Sequence, residues 1–195
     1  MTGKSVAIAE LCAALRAGAR ERAVSLLKRD YPFAPEPIVK RQYGPVESTR
    51  VFVRDGFLDR YTSEALIFPP VLRVLSAELP NEFPYHPNWK TDLTHPAYWD
   101  LSATVDHVIP VSRGGTDDAT NLVTTSMVRN SAKANWTLKE LGWTLQPAGD
   151  LQSWDGLLHW FLEYTKDRPE LLKQHLSMGQ WHRAAILAVN DRPAL

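Results

Sequence analysis

Apolar positions in the first thirty residues recur near helical spacing. Val6, Leu11, Leu15, Ala19, Val24 and Leu27 fall on one side with Arg, Lys and Glu between them. The pattern predicts a helix over 5–29, capped by Ser5 and ended by Tyr31-Pro32. Pro32, Pro35, Pro37 and Pro45 mark 32–45 as an extended connector. Two short runs, RVFV at 50–53 and EALIF at 64–68, predict strands around the turn Asp55-Gly56. Pro69 or Pro70 suits the first turn of a helix reaching Leu79. Residues 80–100 hold four prolines and five aromatics. That stretch is too broken for a helix and too aromatic for a loose linker, so an ordered loop packed on the core is expected.

Two apolar runs, 104–111 and 121–125, flank the polar loop SRGGTDDAT. They predict a hairpin with Gly114-Gly115 in its turn. From Ser126 the periodicity becomes helical to Leu141, with Gly142 as C-cap and Pro147 beyond. The remainder, 153–190, reads as two or three helices. Trp154, Leu157, Leu158, Trp160 and Phe161 crowd the first of them, which predicts its burial against the core or a second subunit. The expected organisation is an N-terminal helix and connector over 1–49, a central core over 50–145 and a C-terminal helical extension over 146–195.

Composition narrows the class without naming a function. The chain has 195 residues, 44% hydrophobic and 23% charged, which is ordinary for a folded soluble domain. The single cysteine, Cys12, excludes an internal disulfide and a cysteine-cluster zinc site. With no long apolar run and no secretory leader pattern, the expectation is a cytoplasmic protein without membrane contact. Lys plus Arg and Asp plus Glu are both 22, so there is no bulk attraction to nucleic acid. The basic residues are gathered towards the start: eleven against seven acids over 1–60.

The chemistry concentrates in 104–136, TVDHVIPVSRGGTDDATNLVTTSMVRNSAKANW. Asp106 and His107 close the first run, Asn121 opens the second, and Asn130 with Lys133 lies on the following helix. A hard cation such as Mg²⁺ or Mn²⁺ takes oxygen ligands and keeps several waters, so one carboxylate and one amide oxygen suffice to hold it. An imidazole with an ordinary pKa near ~6.5 is suited to take a proton from water. Neighbouring strand residues face opposite ways, so a site shared by Asp106 and His107 requires the backbone to turn there. The second ring nitrogen of His107 needs a partner, expected to be a backbone carbonyl of 108–121.

In register, Asp106-His107, Pro110, Gly114-Gly115, Asn121-Leu122 and Arg129-Asn130-x-x-Lys133, preceded by RDGF at 54–57, resemble the HNH (ββα-metal) endonuclease family. The resemblance covers roughly 50–140. It implies an α+β fold, a ββα-metal core with helical extensions at both ends. It also implies a metal-dependent endonuclease that hydrolyses DNA and leaves 5′-phosphate and 3′-hydroxyl ends. By that resemblance His107 is the general base, Asn121 orients the loop, Asp106 and Asn130 hold one divalent ion, Mg²⁺ or Mn²⁺, and Lys133 meets a phosphate oxygen. Arg129 and Arg113 would touch the nucleic-acid backbone. Double-stranded DNA is the expected partner, and the terminal helices could build a homodimer.

Many relatives of that kind carry a four-cysteine zinc site. The corresponding positions here are Asp59, Thr62, Ser126 and Arg129, so the chain resembles the zinc-free branch and no structural zinc is expected. Packing by Trp89, Tyr98, Trp99, Trp136 and Trp143, clamped by the 80–100 loop, is the expected replacement. His86 and His95 read as packing or capping groups, and His159, His175 and His182 carry no recognisable site. A non-catalytic nucleic-acid-binding module and a nuclease toxin with a protein partner are the alternative readings.

Overall fold

A computed structural model describes residues 3–33, 43–174 and 176–191. Pro35, Pro37 and His175 therefore lie outside the described residues. The chain forms two compact units, residues 1–39 and residues 40–195. In the first, the expected long helix is two helices, α1 (Gly3–Arg16) and α2 (Arg20–Asp30). The break is Gly18, whose left-handed backbone (φ 72°) terminates α1 as only glycine does without strain. Ala14 and Ala23 are the buried residues of this pair, so the helices meet through small side chains.

The second unit is α+β. Among the described residues its sheet is one antiparallel pair, β1 (Ala103–His107) and β2 (Leu122–Ser126), registered from Ala103 opposite Ser126 to His107 opposite Leu122. Helices α3 (Pro45–Arg54), α4 (Pro69–Glu78) and α5 (Ala97–Asp100) precede the hairpin. After it come α6 (Met127–Lys133), α7 (Leu138–Leu141), α8 (Leu158–Lys166), α9 (Pro169–Gln174) and α10 (Leu176–Asn190). No helix among the described residues is long and apolar enough to cross a membrane.

Two predicted strands are absent. RVFV ends the helix α3, which starts on Pro45 and buries Ser48, Thr49, Val51 and Phe52. Its β-branched residues favour a strand only weakly, and packing against α10 decides otherwise. EALIF makes only isolated bridges, Leu58 with Ala65 and Ile67 with Ser102. The helix predicted over 126–141 is interrupted after Lys133, where Ala134 adopts φ 44°. Thr137 then caps α7, exchanging a reciprocal capping box with Glu140. Gly142 caps its far end in the left-handed conformation, as predicted.

The C-terminal helices are part of the core. Phe52, Phe57, Phe68, Leu158, Phe161, Leu171, Met178 and Ala185 form one buried cluster. Trp181 stacks on Phe52 and meets Phe68 edge-on. The predicted burial of the first C-terminal helix holds for Leu158 and Phe161, while Trp160 stays on the surface. The 80–100 loop packs its aromatics on Leu72 and Tyr98 in a separate small cluster. That cluster sits on α4 and α5, so it is no substitute for a link between 59–62 and β2. Trp136, expected to be buried, is half exposed, and Trp143 packs on Tyr61. His86 and His95 act as caps, each accepting a backbone N–H on Nδ1.

The link to β2 comes from two fully buried carboxylates in the turn after α3. Asp55 accepts the N–H of Thr124 at 2.7 Å and is paired with Arg54 and Arg60. Asp59 accepts the N–H of Ser126 at 2.9 Å, the hydroxyl of Thr125 at 3.0 Å and the N–H of Tyr61 at 2.9 Å. Arg60 adds its own N–H to the carbonyl of Thr124. Arg54 reaches the carbonyls of Ala119 and Leu122. The free edge of β2 is thereby satisfied from one short segment.

Replacing Asp59 by Ala strands two backbone donors and one hydroxyl in the interior. At about 1–3 kcal/mol for each unsatisfied buried group, Asp59→Ala is expected to cost about 3 kcal/mol or more in chemical denaturation. A loss below about 0.5 kcal/mol, the size of an ordinary surface substitution, would refute this account of the link. Gly156 supplies a second test. Its φ is +66°, and an added Cβ would fall 2.2 Å from the Phe57 ring. Gly156→Ala is expected to lower the melting temperature strongly, read by circular dichroism.

Candidate active site

The site is built where β1 ends. His107 is 3% exposed and Asp106 5%, and the ladder runs regularly through both. The turn expected to bring them to one side is not made within β1, and their side chains face opposite ways and meet different neighbours. The Asp106 carboxylate accepts the Tyr61 hydroxyl at 2.6 Å and pairs with the Lys133 ammonium at 3.0 Å. The His107 ring places Nε2 2.7 Å from the Asp117 carboxylate and 2.5 Å from the Tyr43 hydroxyl. Tyr43 also donates its hydroxyl to Asp117. The partner of His107 in the loop is therefore a carboxylate and not the expected backbone carbonyl.

Asn121 is buried and binds the loop closed. Its Oδ1 accepts the N–H of Ile109, and its amide donates to the carbonyls of Ile109 and Thr116 at 2.9 and 2.8 Å. Gly115 is the counterpart of that bond set: a Cβ there would lie 1.9 Å from the Ile109 carbonyl oxygen and 2.8 Å from the Asn121 amide. The glycine serves close approach, while its neighbour Gly114 (φ 85°) makes the turn.

Helix α6 is laid along the outer edge of β1. Ser126 caps it, accepting the N–H of Arg129. Asn130 donates to the carbonyl of Val105 at 3.1 Å and Lys133 to that of His107 at 2.6 Å. These are alternate carbonyls of one strand edge, met by residues three apart on one helix face. Donation by the Asn130 nitrogen fixes its flip and leaves its oxygen directed away from that bond. Lys133, expected on a phosphate, is wholly buried. An ammonium with no exposed surface and two short bonds inside the protein does not reach a phosphate from solvent.

Arg129 holds its guanidinium 5.8 Å from the Trp143 ring centre, beside Tyr61. Arg113 is half exposed on the glycine loop, 3.8 Å from Glu140. Both are within reach of solvent, as a nucleic-acid contact requires. Burial, together with the Asp106 charge beside it, pushes the Tyr61 hydroxyl far above the usual phenol range. Tyr61 therefore stays protonated and donates to Asp106 at any ordinary pH.

The donor set fits a hard divalent ion. Asp106 has a carboxylate oxygen and Asn130 an amide oxygen that take no hydrogen bond from the described residues, and both are donors of the kind a hard divalent ion takes. No group of three or more His, Cys, Asp and Glu able to hold a metal occurs among the described residues. The four positions compared above with a zinc site are engaged as follows: Asp59 with Ser126, Thr62 with Glu64, and Arg129 against Trp143.

Five functional neighbours escaped the pattern reading: Tyr43, Asp55, Asp59, Tyr61 and Asp117. Asp117 had the best available signal, an acid in the loop that had to supply a partner for His107. Tyr43 and Tyr61 lie 64 and 45 positions from the groups they touch, and no local periodicity links them.

No curated protein and no solved structure matches the chain. Residues 93–126, which run from the end of the aromatic loop through β1, the glycine loop and β2, match the family model for HNH endonuclease. The hairpin is thus similar to the HNH endonuclease model over this stretch, and the α+β unit around it is consistent with a ββα core with helical extensions.

Proposed function

We propose that this chain is a metal-dependent endonuclease that hydrolyses the phosphodiester bonds of double-stranded DNA. The observation that carries the reading is the end of β1, where a buried imidazole and a buried carboxylate occupy consecutive positions and α6 brings an amide alongside. His107 takes the proton of the attacking water as general base. Asp106 and Asn130 would hold one ion, Mg²⁺ or Mn²⁺, which when bound supplies positive charge to the scissile phosphate and the leaving oxygen. An oxygen donor set without thiolate or imidazole favours these hard ions over Zn²⁺ or Ni²⁺.

The other residues prepare this chemistry. Tyr61 and Lys133 fix the Asp106 carboxylate from one side, leaving its second oxygen for a ligand. Asn121 sets the path of the loop that presents His107. Arg113 and Arg129 contact the DNA backbone and fix its register rather than reading sequence. Without a structural zinc, Asp55 and Asp59 hold the hairpin in the body of the unit.

A nicking assay on supercoiled plasmid tests the reading. Wild-type protein is expected to cut with Mg²⁺ or Mn²⁺ and to stop with EDTA, and His107→Ala to lose about 10²- to 10⁴-fold in rate. Equal cleavage by the two proteins, or none by either across divalent ions, would overturn it. Lys133→Met separates the buried role from a phosphate contact. As a broken buried pair it is expected to lose about 3–5 kcal/mol of stability. A surface phosphate ligand would leave the unfolding midpoint nearly unchanged.

A further inference from the structure

The contacts around His107 fix which of its nitrogens does the chemistry. Resting on the reading of His107 as general base, we propose that Asp117 is its positioning residue, holding the ring with the proton on Nε2 and the lone pair on Nδ1. The assignment follows from counting donors. A carboxylate has only acceptors, so a neutral ring whose Nε2 lies 2.7 Å from Asp117 Oδ1 must carry its proton on that nitrogen. The opposite tautomer would set a lone pair against an anion.

Tyr43 agrees with this arrangement. Its hydroxyl donates to Asp117, and its oxygen lies 2.5 Å from Nε2, where it can accept the Nε2–H. The tyrosine ring also lies 5.6 Å from the imidazole, centre to centre, which restricts its rotation. The three groups come from the approach to α3, from the end of β1 and from the glycine loop. The loop closure made by Asn121 and Gly115 therefore sets where Asp117 stands. With Nε2 committed, Nδ1 is the nitrogen that receives a proton from water, and the ring enters the reaction with its orientation already fixed.

The test is nitrogen-15 NMR of histidine-labelled full-length protein at a pH where the imidazole is neutral. His107 is assigned by the resonance that disappears in His107→Gln. The expected result is a protonated Nε2 with a downfield, slowly exchanging proton in the wild type, lost in Asp117→Ala and retained in Asp117→Glu. An Nδ1–H tautomer in the wild type, or an Nε2 proton unchanged in Asp117→Ala, would overturn the proposal. Asp117 is 42% exposed, so its replacement is not expected to unfold the chain, and circular dichroism checks this.

Kinetics supply the second arm. Asp117→Ala is expected to lower kcat about 10- to 100-fold with KM unchanged within about twofold, and Asp117→Glu to recover most of the loss. A kcat unchanged in Asp117→Ala would equally overturn the proposal. If the wild type cleaves no DNA, the nuclease reading fails while the spectrum still decides the positioning role.

Discussion

A two-stranded hairpin is marginal in water on its own, and among the described residues there is no further strand to lend it. What holds the hairpin is the grip of Asp55 and Asp59 on the backbone of β2. Both carboxylates are fully buried, which would be costly for an unpaired charge. Asp55 is offset by two arginines and one N–H, and Asp59 by two N–H groups and a hydroxyl. Everything at the end of β1 takes its position from β2, and β2 takes its position from these two side chains. Phe57, between them in sequence, is buried in the main core. The same seven residues, 54–60, thus anchor the hairpin and fill the interior.

The charge arrangement around the site follows from burial. The buried Asp106 carboxylate has one oxygen served by both Tyr61 and Lys133. Lys133 is tolerated inside because it has both an anion and a carbonyl within reach. His107 is served on its other face by an acid that itself stays in contact with solvent. The two members of the Asp-His pair therefore sit in separate electrostatic surroundings although they are neighbours in sequence. One is braced by a cation and a phenol, the other by an anion and a phenol.

The parts of this domain legible in sequence were those set by local rules. The hairpin, its glycine loop, the Gly142 cap and the Pro-initiated α4 follow from backbone preferences within a few residues. Residues Asp106, His107, Asn121 and Asn130 stood out because they share a spacing. What pattern reading lost was decided at long range. RVFV has the composition of a strand and forms a helix because Phe52 is buried, with Val53 packed beside it, in a core completed by helices more than a hundred residues later. The short Thr137–Glu140 capping box was visible, but a continuous apolar periodicity through 134–136 masked it. Asp55 and Asp59 looked like turn residues, and only the fold shows that their acceptors point inward.

One consequence lies at the margins of the sheet. An isolated hairpin has two rows of unmatched N–H and C=O groups, which invite another chain to extend the ladder. Here one row is occupied by the turn after α3 and the other by Asn130 and Lys133 of α6. Side chains do part of the work of missing strands, occupying edge groups to which a neighbouring molecule could otherwise bond. Occupied edges of this kind oppose edge-to-edge aggregation, and the residues that occupy them also surround the Asp106–His107 end of β1.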